Sequence, residues 1–383
     1  MYLDFIEAHN FRNLAGKITW GRRLNIIHGS NGQGKTNWLE AIYLLARSKS
    51  FRTQRLQEAI KFGGELAVVK GQVVGGNDVR RDLRVTLQGN TKWISVNEKR
   101  EPLHRYLSQL QVFAFTADEL EVVRGVPEAR RRFIDRGISS LQPAYVQTLT
   151  SYNKVLRQKN KILQDAAERG IRLEEVAELL FPWNDQLVSL ATRIHSARIN
   201  YVGLLGAQLE HTLFEPCEVQ LRYRSSLDGK GDLNHYEAVL AERLGLRLPA
   251  EVAAGHSLLG VHRDELEILF RGREMRVFGS SGQQRSALLL LDLAAISLYN
   301  LEHRDYPIFV IDDVDAELDE NRITQLLDYL DGRTQTFITT SKRNQVESFL
   351  SRAGVYEIQN GSVLSQQPLT SNCVMAAGAG EGD

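Results

Sequence analysis

IIHGSNGQGKTNWLEAI, residues 26–42, decides how this chain is read. An apolar run ends at Gly29. Gly32 and Gly34 follow, then Lys35 and Thr36 open a helical pattern. Gly29, Ser30, Asn31, Gly32, Gln33, Gly34, Lys35 and Thr36 fit G-x-x-x-x-G-K-[ST] at every position. Glycines let backbone N–H groups approach phosphate oxygens with no Cβ in the way. A helix that starts at the end of the loop turns its partly positive N-terminus toward the anion. Lys35 is expected to bridge the β- and γ-phosphates of ATP, and Thr36 to hold Mg²⁺. His28, beside the loop, reads as a packed neighbour rather than a catalyst.

A phosphate loop needs a carboxylate at a strand end to hold its metal. PIFVIDDVDAELD, residues 307–319, offers one after the apolar run Ile308–Ile311, which suits a buried parallel strand. Asp312 is expected to help hold Mg²⁺, and Asp313 to orient the attacking water. Lys35, Asp312 and Asp313 are thus the expected catalytic set. Thr36 and Asp312 stand 276 positions apart. A simple P-loop domain needs only ~100–150 residues, so the ATPase core is expected to be split around an insertion.

VFGSSGQQRSALLLLDLAAISLYNL, residues 277–301, adds a second anion site. A serine and a glycine at a helix N-terminus favour negative charge. One subunit has no need of two such sites for one nucleotide. Two subunits placed head to tail would each offer the serine to the other's γ-phosphate.

From Met1 to about Thr116 the pattern is mostly strand, interrupted by a helix over Lys35–Arg47 with Leu39, Ile42, Tyr43 and Ala46 on one face. About Pro127 to Phe214 reads helical, with Leu149, Tyr152, Val155, Leu156, Lys159, Ile162 and Leu163 at helical spacing. Another helix is expected after Pro182, through Trp183, Leu187, Leu190, Ala191 and Ile194. Strands return near Leu258. They include hairpins about Arg271-Gly272 and Asn360-Gly361, and a helix covers about Gly282–Leu301. The expected domains are 1–116 and 251–365 as two halves of a mixed α/β head, 117–250 as a mainly helical lobe, and 366–383 as a disordered tail.

The 383 residues carry 47 Lys and Arg against 47 Asp and Glu, so net charge is zero. That argues against a strongly basic polyanion binder, though charge can still gather on one face. Cys217 and Cys373 make no metal-ligand pattern, and a reduced, cytoplasmic chain is expected. No apolar run reaches membrane-spanning length, and the opening MYLDFIEAHNF lacks the features of a signal peptide.

Taken together, these residues resemble the RecF family among the ABC-type ATPases of DNA repair and chromosome maintenance. The likeness rests on FRNL at 11–14, the P-loop, SKSFRT at 48–53 and FTADELEVVRGVPEARRRFID at 115–135. GVHRDE at 260–265, GSSGQQRS at 279–286 and IDDVDAELD complete it. The resemblance implies an α/β, ABC-type P-loop ATPase head like those of SMC proteins, with a short helical arm. It implies ATP-driven homodimerisation, DNA binding and slow hydrolysis. It further implies cooperation with RecR and RecO at gapped DNA, where recombinase is loaded onto single strands, and support for replication restart and the SOS response. It gives Ser281–Gln283 the signature role toward the partner's ATP, Ala316–Asp319 a place at the dimer seam, and Arg12 a contact with the nucleotide. The chain departs from the transporter-type pattern at three places: Gln283 replaces a second glycine, Asp313 replaces glutamate, and Thr340 or Ser341 stands where a switch histidine is usual.

Basic residues cluster at Arg124, Arg130, Arg131, Arg132 and Arg136, and again at Lys154, Arg157, Lys159 and Lys161. Arg130, Arg131 and Arg132 are the first candidates for DNA contact; a solvated or internally paired face is the alternative. No motif reads bases, so any binding is expected to be phosphate-led and sequence-tolerant. Two other functions compete. One is the nucleotide-binding subunit of an ABC transporter, which the large helical insertion and the missing switch histidine disfavour. The other is a solo metal-dependent ATPase or nuclease with Asp312 and Asp313 as a metal pair, for which the sequence shows no further cluster of carboxylates and histidines at nuclease-like spacing.

Overall fold

The protein is described here from a computed structural model, over residues 1–75, 78–209 and 218–367. Cys217, Cys373 and the tail beyond Gln367 lie outside the described residues. Backbone contacts divide the chain into two units: Met1–Glu119 with Asp305 onward, and Leu120–Arg304.

The first unit holds two six-stranded sheets. One is antiparallel: β1 (Tyr2–Phe11), β2 (Leu14–Thr19), β4 (Leu66–Val74), β5 (Arg80–Gln88), β6 (Thr91–Val96) and β7 (Lys99–Arg100), in the order β2-β1-β4-β5-β6-β7. The other runs β15-β14-β3-β13-β12-β8, from β3 (Leu24–His28), β8 (Val112–Phe115), β12 (Ile308–Ile311), β13 (Thr336–Thr340), β14 (Ala353–Gln359) and β15 (Ser362–Gln367). Five of these strands are parallel and only β15 is antiparallel, at the edge. Every residue of β8, β12 and β13 is buried, as the continuous apolar runs require of a covered parallel sheet. The helices α1 (Lys35–Arg47) and α2 (Leu103–Leu107) follow β3 and β7, and α11 (Val314–Glu317) and α12 (Glu320–Leu330) follow β12.

Polar pairs tie the two sheets together. The Gln335 amide accepts from Leu3 N at 2.7 Å and donates to Leu3 O at 2.9 Å and Gly21 O at 2.8 Å. Trp20 packs edge-on against both Phe337 and Tyr356. The helix α1 is buried on almost every side, with Trp38, Ala41, Leu44 and Leu45 covered as well as the expected Leu39, Ile42, Tyr43 and Ala46.

The second unit is mainly helical: α3 (Glu121–Arg124), α4 (Pro127–Leu141), α5 (Tyr145–Arg169), α6 (Leu173–Leu209), α7 (Tyr236–Leu246), α8 (Leu248–Ala254), α9 (Met275–Phe278) and α10 (Ser281–His303). A three-stranded sheet of β9 (Val219–Arg224), β10 (Glu265–Phe270) and β11 (Arg273–Glu274) completes it, in the order β11-β10-β9. Residues 251–304, grouped by sequence with the head, fall in this unit. The reason is α10, whose row from Ala287 to Ile296 is buried throughout and packs on α3, α4 and α6. The helix expected to start after Pro182 starts at Leu173 and runs through it. Pro182 lacks only its own N–H, and the apolar stripe on both sides of it holds the helix together at that local cost.

Both expected hairpin turns form. Arg271 and Gly272 have φ of 50° and 74°, and Asn360 and Gly361 have 50° and 80°, the left-handed pair that a two-residue turn matching the strand twist demands. Among the described residues no helix is long and apolar enough to cross a membrane.

Candidate nucleotide site

The phosphate loop leaves the carboxyl end of β3 and enters α1, and Asp312 leaves the same end of β12. The strand β13 lies between them, parallel to both. Open parallel sheets place ligands at this edge. Gly34 is the residue before α1 and has φ 107°. A Cβ there would lie 2.9 Å from Asn13 Oδ1 and 3.1 Å from Gly361 Cα, so only glycine fits. The Asn-Gly hairpin clasps the loop: Asn360 N donates to Gln33 Oε1 at 2.8 Å, and Gly361 N to Gln33 O at 2.7 Å. Trp38 Nε1 closes the clasp on Gly361 O at 3.2 Å. The cradle is therefore held in shape from below, as a preorganised anion site must be.

Lys35 is buried, with Nζ donating to Gly29 O at 2.9 Å and Ser30 O at 3.2 Å. Thr36 Oγ1 donates to Asp312 Oδ1 at 2.9 Å. Two motifs at opposite ends of the chain thus meet in one hydrogen bond. Thr339 Oγ1 donates to the same carboxylate oxygen at 2.7 Å and accepts from Asp313 N at 2.7 Å. Burial raises the Asp312 carboxyl above its ordinary value. The Asp313 charge adds to this, while the hydrogen bonds from Thr339 and Thr36 and the charge of Arg52 oppose it. A half-buried carboxylate beside a hydroxyl is an all-oxygen, hard donor set, which suits Mg²⁺ rather than a softer metal. Among the described residues, no group of three or more His, Cys, Asp or Glu gathers as a metal site. Asp313 is exposed and takes φ 46°, a left-handed conformation that costs a non-glycine residue about 1–3 kcal/mol and tends to mark functional turns.

Three findings were not legible in the sequence. Thr339, not Thr340 or Ser341, meets the Asp312–Asp313 pair. Thr340 bonds locally to Lys342, and Ser341 donates through Oγ and N to Asp315 at 2.9 and 3.2 Å. For Asp315, burial works against the charged form, but the bonds from Thr340 and Ser341 outweigh it and hold its carboxyl below the ordinary value. Arg12 is the third. It forms a two-pronged pair with Glu40 at 3.0 and 2.8 Å, and donates to Glu58 O at 2.9 Å. Glu40 lies on α1, wholly buried, and also accepts from Ser50 Oγ at 2.6 Å. FRNL and SKSFRT therefore meet at one carboxylate.

The signature segment belongs to the second unit. Ser280 is the N-cap of α10: its Oγ accepts from Gln283 N at 3.3 Å, and Gln283 Oε1 accepts from Ser280 N at 2.8 Å. This capping box occupies the Gln283 side chain, while Ser281 and Gly282 are exposed.

The arginine cluster is divided by burial. Arg130 is 3% exposed and spends its guanidinium on Glu265, at 2.7 and 2.9 Å, and on Gly125 O. It leaves no face for a DNA phosphate, which corrects the sequence expectation. Arg131 donates to Asp264 O at 2.8 Å, and burial lowers its affinity for its proton, with the Arg198 charge adding to this. Arg132 alone of the three is exposed, in a surface pair with Glu128 at 2.8 Å. Lys159 of the second cluster is also buried, 2.7 Å from Glu251. GVHRDE forms a structural knot: His262 meets Tyr152 Oη at 2.7 Å, Asp264 accepts from Ser226 N at 2.7 Å, and Glu265 takes Arg130. Burial pushes the His262 imidazole down to about 4, so it is neutral at physiological pH.

Residues 2–363 match the family described as RecF/RecN/SMC N terminal domain. The chain is similar to the DNA replication and repair protein RecF of Geobacillus sp. (strain WCH70), 33% identical over 95% of this chain and 98% of that one. It is 35% identical to the RecF of Lactobacillus johnsonii, over 96% of this chain and 100% of that one. Among solved structures it resembles the recombination mediator protein RecF-ATP of the RecFOR pathway, with a TM-score of 0.85 and 29% identity over 96% of this chain and 97% of that one. An Smc head bound to the C-winged helix domain of ScpA shares the fold, with a TM-score of 0.53 and 14% identity. From the phosphate loop at one end of the sequence to the hairpin that clasps it at the other, this chain belongs to the RecF family of DNA replication and repair proteins.

Proposed function

We propose that this chain binds ATP with Mg²⁺ in the Gly29–Thr36 cradle and that two chains close as a homodimer around DNA. The Thr36–Asp312 hydrogen bond carries the reading, because it joins the phosphate loop to a metal-holding carboxylate from the far end of the chain. The name of the similar RecF-ATP structure supports the choice of nucleotide. Lys35 neutralises the phosphates. Thr36 and Asp312 hold the metal, whose chemistry is to polarise the phosphoryl oxygens. Asp313, fixed through its backbone N–H by Thr339, orients the attacking water. Arg12 uses three of its N–H groups on Glu40 and Glu58, and its remaining donors serve the nucleotide. Ser281 and Gly282, exposed at the start of α10, meet the γ-phosphate held by the other chain, and Gln283 supports them through the cap. Hydrolysis is slow and stimulated by DNA, and it times the opening of the clamp.

DNA is held by its phosphates and without sequence preference, with Arg132 and Arg131 contributing and Arg130 serving only the fold. In the family's pathway this clamp works with RecR and RecO at single-strand gaps, so that recombinase is loaded, stalled replication restarts and the SOS response is supported. That work is cytoplasmic, on the nucleoid. The transporter-subunit reading has no comparable support, since the relatives that match nearly the whole chain at 33–35% identity are RecF proteins. The test is affinity for a gapped duplex at about 0.1 M salt, where exposed charges are already screened beyond ~10 Å. ATP should tighten binding at least about tenfold by joining two patches on one duplex. Ser281→Arg should bind ATP yet show no tightening. An affinity indifferent to both ATP and salt would overturn the proposal.

A further inference from the structure

Within the second unit, α6 and the segment from Leu233 through α7 to Leu248 border a groove of about 1160 Å³. That is larger than a pocket for one small ligand needs. On the α6 side it is lined by Phe181, Asp185, Val188, Thr192, His195 and Ile199. Their spacing alternates four and three residues. Phe181, Val188 and Ile199 give this helix face an apolar line, broken by the polar Asp185, Thr192 and His195. From Phe181 to Ile199 the line runs roughly 27 Å at 1.5 Å per residue. Its two ends are apolar and open: Phe181 is 75% exposed and Ile199 48%.

The opposite wall offers Tyr236, Ala241 and Leu244. At the floor, the His195 ring stacks on Tyr236 with centroids 3.9 Å apart. Both are buried, and among the described residues neither ring nitrogen of His195 nor the Tyr236 hydroxyl has a hydrogen-bond partner, so the stack closes the floor as an apolar surface. The charges on the lining decide the kind of partner. Among the described residues that line it, Asp185 and Glu237 carry the only formal charges, and none is lysine or arginine. A DNA backbone is repelled by such a surface, and an acidic helix equally so.

We propose that this groove docks an amphipathic α-helix of a protein partner, carrying aliphatic residues at 3.5-residue spacing and lysine or arginine opposite Asp185 and Glu237. The anchors are the exposed Phe181 and Ile199 at the two ends.

The test uses the full chain and a fluorescein-labelled leucine–lysine peptide of about three heptads, with a leucine–glutamate peptide of the same pattern beside it, followed by fluorescence anisotropy. The leucine–lysine peptide is expected to bind saturably, and the leucine–glutamate peptide at least tenfold more weakly. Ala241→Trp fills the groove, and the double variant Asp185→Lys with Glu237→Lys reverses its charge. Each should weaken the leucine–lysine peptide at least tenfold while leaving ATP binding unchanged, which also reports that the variants fold. No saturable binding, or equal binding by wild type and both variants, overturns the proposal. Self-association of the chain that Ala241→Trp abolishes would assign the groove to a second copy and likewise overturn it.

Discussion

The two units handle buried charge in opposite ways. In the helical unit, Arg130, Lys159 and Arg198 are each nearly or wholly buried, and each lies against a carboxylate: Glu265 at 2.7 Å, Glu251 at 2.7 Å and Asp135 at 2.8 Å. These charges are neutralised within the fold. At the phosphate loop, Lys35 is equally buried but is held only by two backbone carbonyls, and Asp312 only by two hydroxyls. Among the described residues neither charge has an opposite number within hydrogen-bond reach. A cation buried beside a carboxylate stabilises its surroundings. A cation and a carboxylate held apart by neutral groups are ready for phosphate and metal.

Breaking a pair in the helical unit should do the most damage. Arg130→Ala leaves Glu265 without its buried partner and should cost about 3–5 kcal/mol of stability, measured by chemical denaturation. Any loss of DNA binding should then follow the unfolded fraction alone. A fully stable Arg130→Ala that lost DNA binding would return that residue to the DNA surface.

Gly361→Ala comes next. A Cβ at φ 80° would lie 2.1 Å from Asn13 O. The clasp on Gln33 should open, with a stability loss on the order of 1–3 kcal/mol and weaker ATP binding by calorimetry. Unchanged ATP affinity would show that the cradle keeps its shape without the hairpin.

Asp312→Asn should act in the opposite direction on stability. Folding raises this carboxyl above its ordinary 3.8, chiefly by burial. The folded state therefore holds its proton to higher pH than the unfolded chain does. The favourable contribution is present below the unfolded value and is lost as pH rises through the folded one. At pH 7 the charged form is a burden. Asparagine, still an acceptor for Thr36 and Thr339, should relieve it. Thermal unfolding should show this gain at pH 7 and its disappearance toward pH 4, while Mg²⁺-dependent ATP hydrolysis is lost. Destabilisation at pH 7 would mean that the carboxylate already has a compensating partner.

Arg132→Ala should have the smallest effect on the fold. Its surface pair with Glu128 is worth well under 1 kcal/mol. DNA binding should weaken a few-fold at low salt, with a shallower salt dependence. No change in either would move the DNA surface elsewhere.

The sequence was most legible where function is a local backbone device. The spacing from Gly29 to Thr36, the apolar run before Asp312 and the Asn360-Gly361 turn each announce themselves within a few residues. It was least legible where a role depends on a distant partner. Arg130 and Arg132 look alike in the run ARRRF, yet Glu265, 135 positions away, buries one and not the other. Thr339 and Thr340 are adjacent and chemically identical. Alternation along β13 gives only the first to Asp312. Pro182 reads as a helix start because its local rule is strong, but tertiary packing of α6 overrides it.

Whether each nucleotide is gripped by two chains is settled by sedimentation velocity with ATP and Mg²⁺ on wild type, Lys35→Arg and Ser281→Arg. Wild type and Lys35→Arg should shift to a dimer, the second without turning over. Ser281→Arg should bind ATP as tightly as wild type alone does at low concentration and remain a monomer. A Ser281→Arg chain that dimerised as well as wild type would contradict the account, because the start of α10 would then take no part in holding the partner's triphosphate.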